Sequence, residues 1–139
     1  MKRMLLISII SLFNLQLFSQ DKIISQGDWK ANSYFITFEG NWEIIENNEG
    51  SYLLIHDNFS TKKAPDLKLY ISKLALDNID ASNADDISNS VFIAKLNTYK
   101  GASKYRIPDE INLQEYQSII VHCKKFDKFW GGSPLWRVN

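Results

Sequence analysis

Cysteine is almost absent from this sequence, which carries only Cys123 in 139 residues. One cysteine cannot close a disulfide bond within a chain, so the fold must be stabilised by its apolar core. The sequence also lacks the Cys-x-x-Cys-His attachment site of c-type haem. Any thiol chemistry of this protein therefore depends on Cys123.

Other soft or imidazole ligands are scarce as well. The two methionines stand at the N-terminus, and the two histidines are His56 and His122. The two histidines and Cys123 have the number and type of the ligands in a blue-copper site, which are two histidines and one cysteine. However, neighbouring residues of a strand point to opposite faces, so His122 and Cys123 cannot both reach one ion from a regular strand. A structural zinc site needs four ligands, which this chain hardly has. We therefore expect no metal site, leave noncovalent haem binding open, and assign no cofactor.

Neither sign of charge predominates, with 16 basic and 16 acidic residues. The lysine doublets at 62–63 and 124–125 are isolated, which is typical of solvated side chains and gives no footprint for nucleic acid. Phosphate-binding loops, the Gly-x-Ser-x-Gly elbow and the His-Glu-x-x-His segment are absent from the sequence. Only His56 could act as a base for a nucleophilic Cys123. The sequence therefore favours a noncatalytic function, and an enzymatic function remains an alternative.

The longest apolar run lies at the N-terminus. Lys2 and Arg3 precede apolar residues 4–12, and residues 13–19 become more polar. This order predicts a signal peptide over residues 1–19, cleaved near Gln20, and the run is too short for an ordinary spanning helix. Because the segment has no cysteine, we expect a periplasmic or secreted protein that is not a lipoprotein and has no stable membrane span after cleavage. Removal of Lys2 and Arg3 leaves 14 basic against 16 acidic residues.

Residues 20–139 have the length of one domain and the pattern of short strands. Residues 66–72 alternate between apolar and polar positions, which predicts a half-buried strand. Further strands are predicted at 34–38, 42–46, 52–56, 91–96 and 118–123, whereas Gly131 and Gly132 are interpreted as a turn. Residues 76–89 are predicted to be a surface loop with one short helical turn. The fold class is all-β: a single antiparallel β-sandwich or partly open barrel with one longer loop.

Four segments of this chain carry a resemblance to a known family. They read NFSTKKAPDLKLY at 58–70, YRIP at 105–108, YQSIIVHC at 116–123 and FDKFWGGSPL at 126–135. Over residues 35–135 the chain resembles the DM-thirteen domain, with Ala64 where the family usually has glycine and His122 where it usually has an aromatic residue. The resemblance implies an electron-transfer module of extracellular proteins, some of which also carry haem- or sugar-binding DOMON domains.

The resemblance also implies that Cys123 is a redox residue or a cofactor ligand. Its candidate neighbours are His122, Phe126, Trp130 and Asp66. In the period-two pattern of a strand, Cys123 shares the core-facing side with residues 119 and 121, so we predict a buried thiol that only a small partner reaches.

Two functions follow from these patterns. The first is an exported electron-transfer module that uses Cys123 and has haem- or sugar-binding extracytoplasmic proteins as partners. The alternative is a noncatalytic extracytoplasmic domain that binds a sugar or a protein through an exposed Trp130 or Trp136, with Cys123 serving only as core packing.

Overall fold

The computed structural model describes residues 20–138, and within this range the chain forms twelve strands and two short 3₁₀ helices. The strands are β1 (Lys22–Asp28), β2 (Lys30–Ala31), β3 (Phe38–Glu39), β4 (Asn41–Asn47), β5 (Gly50–Ile55), β6 (Ser60–Thr61), β7 (Leu67–Ser72), β8 (Ser90–Lys95), β9 (Ser103–Ile107), β10 (Ser118–Cys123), β11 (Lys128–Pro134) and β12 (Trp136–Arg137). The helices are Leu76–Asn78 and Leu113–Glu115. The predicted signal peptide, residues 1–19, lies outside the described residues. In the described range, no helix is long and apolar enough to cross a membrane.

The strands form two five-stranded antiparallel sheets and one small ribbon. The first sheet has the order β12-β1-β4-β5-β9, the second has the order β2-β11-β10-β7-β8, and β3 pairs with β6. Neither large sheet closes on itself, and side chains of both contribute to one buried cluster. The prediction of an all-β fold is confirmed, and its architecture is a β-sandwich.

The main core cluster lies between the two sheets. In β4 the alternating pattern turns Trp42 and Ile44 inward, where they are almost fully buried. Strand β10 differs because all six of its residues are buried. It occupies the middle of the second sheet, so its inner face contacts the core while its outer face is covered by another part of the chain.

That cover comes from the segment between β7 and β8. Ile79 and Ala84 of this segment pack with Ile120 and Phe129 in a second buried cluster on the outer face of the sheet. The short helical turn predicted here is present as Leu76–Asn78. The predicted surface loop with one helical turn is confirmed, and two of its side chains in addition complete the burial of β10.

Residues 34–38 do not form the predicted strand. Only Phe38 and Glu39 are in strand conformation, whereas Tyr34 and Phe35 are exposed in a turn. The Ser33 hydroxyl accepts a hydrogen bond from the backbone N–H of Phe35, and its carbonyl accepts one from Ile36. These local hydrogen bonds satisfy the backbone in place of a strand partner, which explains why β-rich composition misled the prediction.

The β10–β11 hairpin positions the residues around Cys123. Its turn comprises residues 124–127, and Asp127 has a left-handed φ of 48°. Gly131 and Gly132 lie inside β11 and not in the predicted turn, because their lack of side chains allows close approach of backbones. A Cβ atom at Gly131 would lie 2.3 Å from the Lys30 carbonyl oxygen, and one at Gly132 would lie 2.5 Å from that of Ile119.

A β-bulge in β11 sets the direction of its aromatic side chains. Val121 pairs with Gly131 and His122 pairs with Phe129, so Trp130 is the extra residue. Phe129 consequently packs in the outer cluster and Trp130 in the main core.

Candidate functional site

Cys123 is the last residue of β10, and its side chain is fully buried. It belongs to the main core cluster together with Ile119 and Val121, whereas Ile120 belongs to the outer cluster. The thiol therefore points inward, as its period-two pattern predicts. Its strand neighbours are Leu67 in β7 and Lys128 in β11. Within residues 20–138 the sulfur forms no hydrogen bond and no disulfide.

His122 lies beside Cys123 in sequence but makes its contact outside the main core. Its ring is fully buried, and Nε2 lies 3.1 Å from Oδ1 of Asp127. Pairing of β10 with β7 is regular here, since the bulge lies in β11. His122 and Cys123 thus lie on opposite faces of the strand, and the structure does not bring them together.

The other candidate neighbours are divided between the core and the hairpin turn. Trp130 is buried in the same core cluster as Cys123, and its Nε1 donates a hydrogen bond of 2.9 Å to the Thr61 hydroxyl. Phe126 is exposed in the turn. Asp66 lies next to the same turn, where its backbone carbonyl accepts a 3.0 Å hydrogen bond from Lys124 N–H. Phe126 and Asp66 therefore lie near the end of β10 at which Cys123 stands.

His56 follows β5 in the other sheet. Its Nε2 lies 3.7 Å from Oε2 of Glu43. In the described part of the chain no hydrogen bond joins His56 to Cys123, so the arrangement does not provide the base that a nucleophilic cysteine requires.

One groove of the described structure lies away from Cys123, which is not among its lining residues. It has a volume of about 700 Å³, lies at one end of the sandwich, and is lined by residues such as Ile24, Glu46, Asp109 and Arg137. Two smaller depressions are lined by residues 54–57 with 102–104 and by residues 31–39. Cys123 lines none of these three cavities. Ligation of a haem iron by Cys123 would require the packed core to open, so the residues around it do not fit this group.

Sequence reasoning missed a polar cluster on the outer face of the second sheet. It consists of Asp85, His122, Asp127 and Lys124, and the Lys124 ammonium group donates a hydrogen bond to the Asp85 carboxylate. This bond holds the pKa of Asp85 below its ordinary value, although burial opposes the shift, and it raises the pKa of Lys124. Asp85 and Lys124 are 39 positions apart. No sequence pattern indicates their contact.

Tyr70 lies beside this cluster. Burial, followed by the negative charge of Asp85, raises the pKa of its hydroxyl. Its ring packs against Phe92 at a centroid distance of 5.8 Å. The phenol is therefore protonated at neutral pH and is not a base for the cluster.

These features define a small all-β domain with one buried thiol on the central strand of its second sheet. Residues 31–135 match the family described as Electron transfer DM13, which covers most of the chain. The protein therefore belongs to the DM13 electron-transfer family, as the resemblance to DM-thirteen domains implied. No curated protein and no solved structure matches the chain.

Proposed function

We propose that this protein is an exported electron-transfer module whose redox-active side chain is Cys123. Membership of the DM13 family supports the electron-transfer role. The observation that carries the assignment to Cys123 is its position: the chain's only thiol ends the central strand, one residue before an exposed turn.

The burial of Cys123 determines which acceptors can react with it. The turn that follows Cys123 is held by the hydrogen bond from Lys124 N–H to the Asp66 carbonyl and by a 3.3 Å bond from Asp127 N–H to the Lys124 carbonyl. Turns of this kind open locally at a lower free energy than the core. A small one-electron acceptor reaches the sulfur when the turn opens and takes up one electron, while the thiol proton passes to solvent and Cys123 is left as a thiyl radical until a donor returns the electron.

Export and partners extend the same proposal. The charged, apolar and then polar order of residues 1–19 supports removal of a signal peptide, giving a periplasmic or secreted domain that is not a lipoprotein. The family resemblance supports haem- or sugar-binding extracytoplasmic proteins as electron-transfer partners.

One observation favours the alternative of a noncatalytic binding domain. The thiol has no solvent contact, while Trp136 is 65% exposed at the edge of the first sheet. The expectation that Trp130 is an exposed contact is wrong, since only 5% of it is exposed. In this alternative Cys123 is a small core residue and Trp136 contacts a sugar or a protein.

Thiol labelling of the folded protein distinguishes the two functions. The electron-transfer proposal predicts that the small reagent methyl methanethiosulfonate modifies Cys123 under native conditions, whereas the bulky Ellman reagent reacts much more slowly. Unfolding in denaturant should remove this difference between the reagents. If neither reagent modifies the folded protein over many hours, the thiol is inaccessible packing and the binding domain is the better account. Equal rates with both reagents would contradict the buried geometry itself.

A further inference from the structure

We propose that Asp85, His122 and Asp127 form a binding site for a borderline divalent transition ion such as Zn²⁺. Each residue offers one ligand atom, and these atoms all lie within 4.8 Å of one another. One imidazole nitrogen with two carboxylate oxygens suits such an ion, whereas Mg²⁺ and Ca²⁺ prefer oxygen ligands alone. This inference differs from the sequence-based expectation of no metal site, and it does not depend on the proposed role of Cys123.

Three separate segments hold the ligands in place. His122 projects from the central strand β10, whose six residues are all buried. Asp127 ends the hairpin turn in the left-handed conformation, which aspartate tolerates better than most residues, and its carboxylate reaches the His122 ring. Asp85 follows Ala84, which is fully buried in the outer cluster. The backbone at each ligand is therefore fixed by packing or by the turn.

The His122 ring directs one of its nitrogens toward the carboxylate of Asp127. It is fully buried, Nε2 faces Asp127, and Nδ1 has no hydrogen-bond partner in the described structure. A coordinate bond from Nε2 to an ion would use this orientation of the ring and would place the ring proton on Nδ1.

Lys124 already supplies a positive charge to this cluster. Its ammonium group contacts Asp85, and the negative charge of Asp127 acts on it as well. A metal ion would replace this tethered cation at Asp85. The Lys124 side chain is 53% exposed, so it can swing into solvent without disturbing the core. The ammonium group therefore acts as a built-in competitor that weakens the site.

This competition yields a test with matched controls. Isothermal titration of the chelator-treated protein with Zn²⁺ should show one site, and Lys124→Met should bind Zn²⁺ more tightly. Lys125→Met removes the same charge from the neighbouring exposed residue and should leave the affinity unchanged. Loss of one ligand in Asp85→Asn or Asp127→Asn should weaken binding by about tenfold or more, whereas the adjacent Asp86→Asn should not. All five aspartate and lysine sites are at the surface or partly exposed, and circular dichroism should confirm that each variant is folded.

Three results would overturn the proposal. The first is the absence of Zn²⁺ binding in both the wild type and Lys124→Met. The second is binding that Asp85→Asn and Asp127→Asn leave unchanged, which would place the ion elsewhere. The third is equally tight binding of Mg²⁺ or Ca²⁺, because such an ion would not require His122. Conversely, a Zn²⁺-dependent shift of the His122 ring resonances in the folded protein is the expected spectroscopic result.

Discussion

The hydrogen bond between Trp130 and Thr61 allows a quantitative test of how the second sheet is built. Thr61 is 7% exposed and accepts the indole N–H, while its hydroxyl donates a 3.0 Å hydrogen bond to the Thr37 carbonyl. Thr61→Val nearly preserves the shape of the side chain but leaves the buried indole N–H without an acceptor. The cost of an unsatisfied buried donor is about 1–3 kcal/mol, so the free energy of unfolding should fall by that amount. Urea unfolding followed by tryptophan fluorescence measures this change.

Two further variants isolate the cause. Thr98→Val removes a hydroxyl whose hydrogen bond to the Lys100 carbonyl lies at the surface, and it should cost at most about 0.5 kcal/mol. Trp130→Phe removes the indole donor, so Thr61→Val should cost less in that background than in the wild type. A loss below about 0.5 kcal/mol for Thr61→Val in the wild type, or an equal loss in both backgrounds, would refute the stabilising role of this hydrogen bond.

Two other predictions concern the N-terminus and the outer-face cluster. Sequencing of the exported protein should begin near Gln20, and intact Met1 in the soluble extracytoplasmic fraction would contradict cleavage. The lowered pKa of Asp85 means that the unfolded chain binds more protons in acid, so its contribution to stability is present above about pH 4 and is lost as the pH falls through the folded-state pKa. Asp85→Asn should therefore make the unfolding free energy less dependent on pH below about 4, and an unchanged pH dependence would show that the Lys124 contact is absent in solution.

The sequence predicted the elements whose pattern arises from local burial. The period-two pattern of 66–72 and the apolar run at 118–123 correspond to β7 and β10, because a strand in the middle of a sandwich must present apolar side chains to the core. Strand β1 was not predicted, because its sequence KIISQGD has few apolar residues and shows no clear alternation of apolar and polar positions. Strand β11 was hidden by Gly131 and Gly132, which normally indicate a turn but here allow close backbone packing.

The site was only partly predictable for a different reason. The inward direction of Cys123 follows from alternation along one strand, which the sequence contains. The contact of Asp85 with Lys124 depends instead on how the segment between β7 and β8 folds back over the sheet. Likewise, the burial of Trp130 depends on a β-bulge that no pattern in the sequence predicts. Long-range contacts of this kind are set by the assembled fold and not by local periodicity.

The most direct test of the central claim is protein-film voltammetry of the wild type beside two core variants. Cys123→Ala removes the sulfur, while Val121→Ala trims another buried side chain on the same face of β10 and keeps the thiol. The account predicts a reversible electron-transfer signal in the wild type and in Val121→Ala that is lost in folded Cys123→Ala. A signal that persists unchanged in Cys123→Ala would show that Cys123 is not the redox-active residue, and the absence of any signal in the wild type would contradict the proposed module itself.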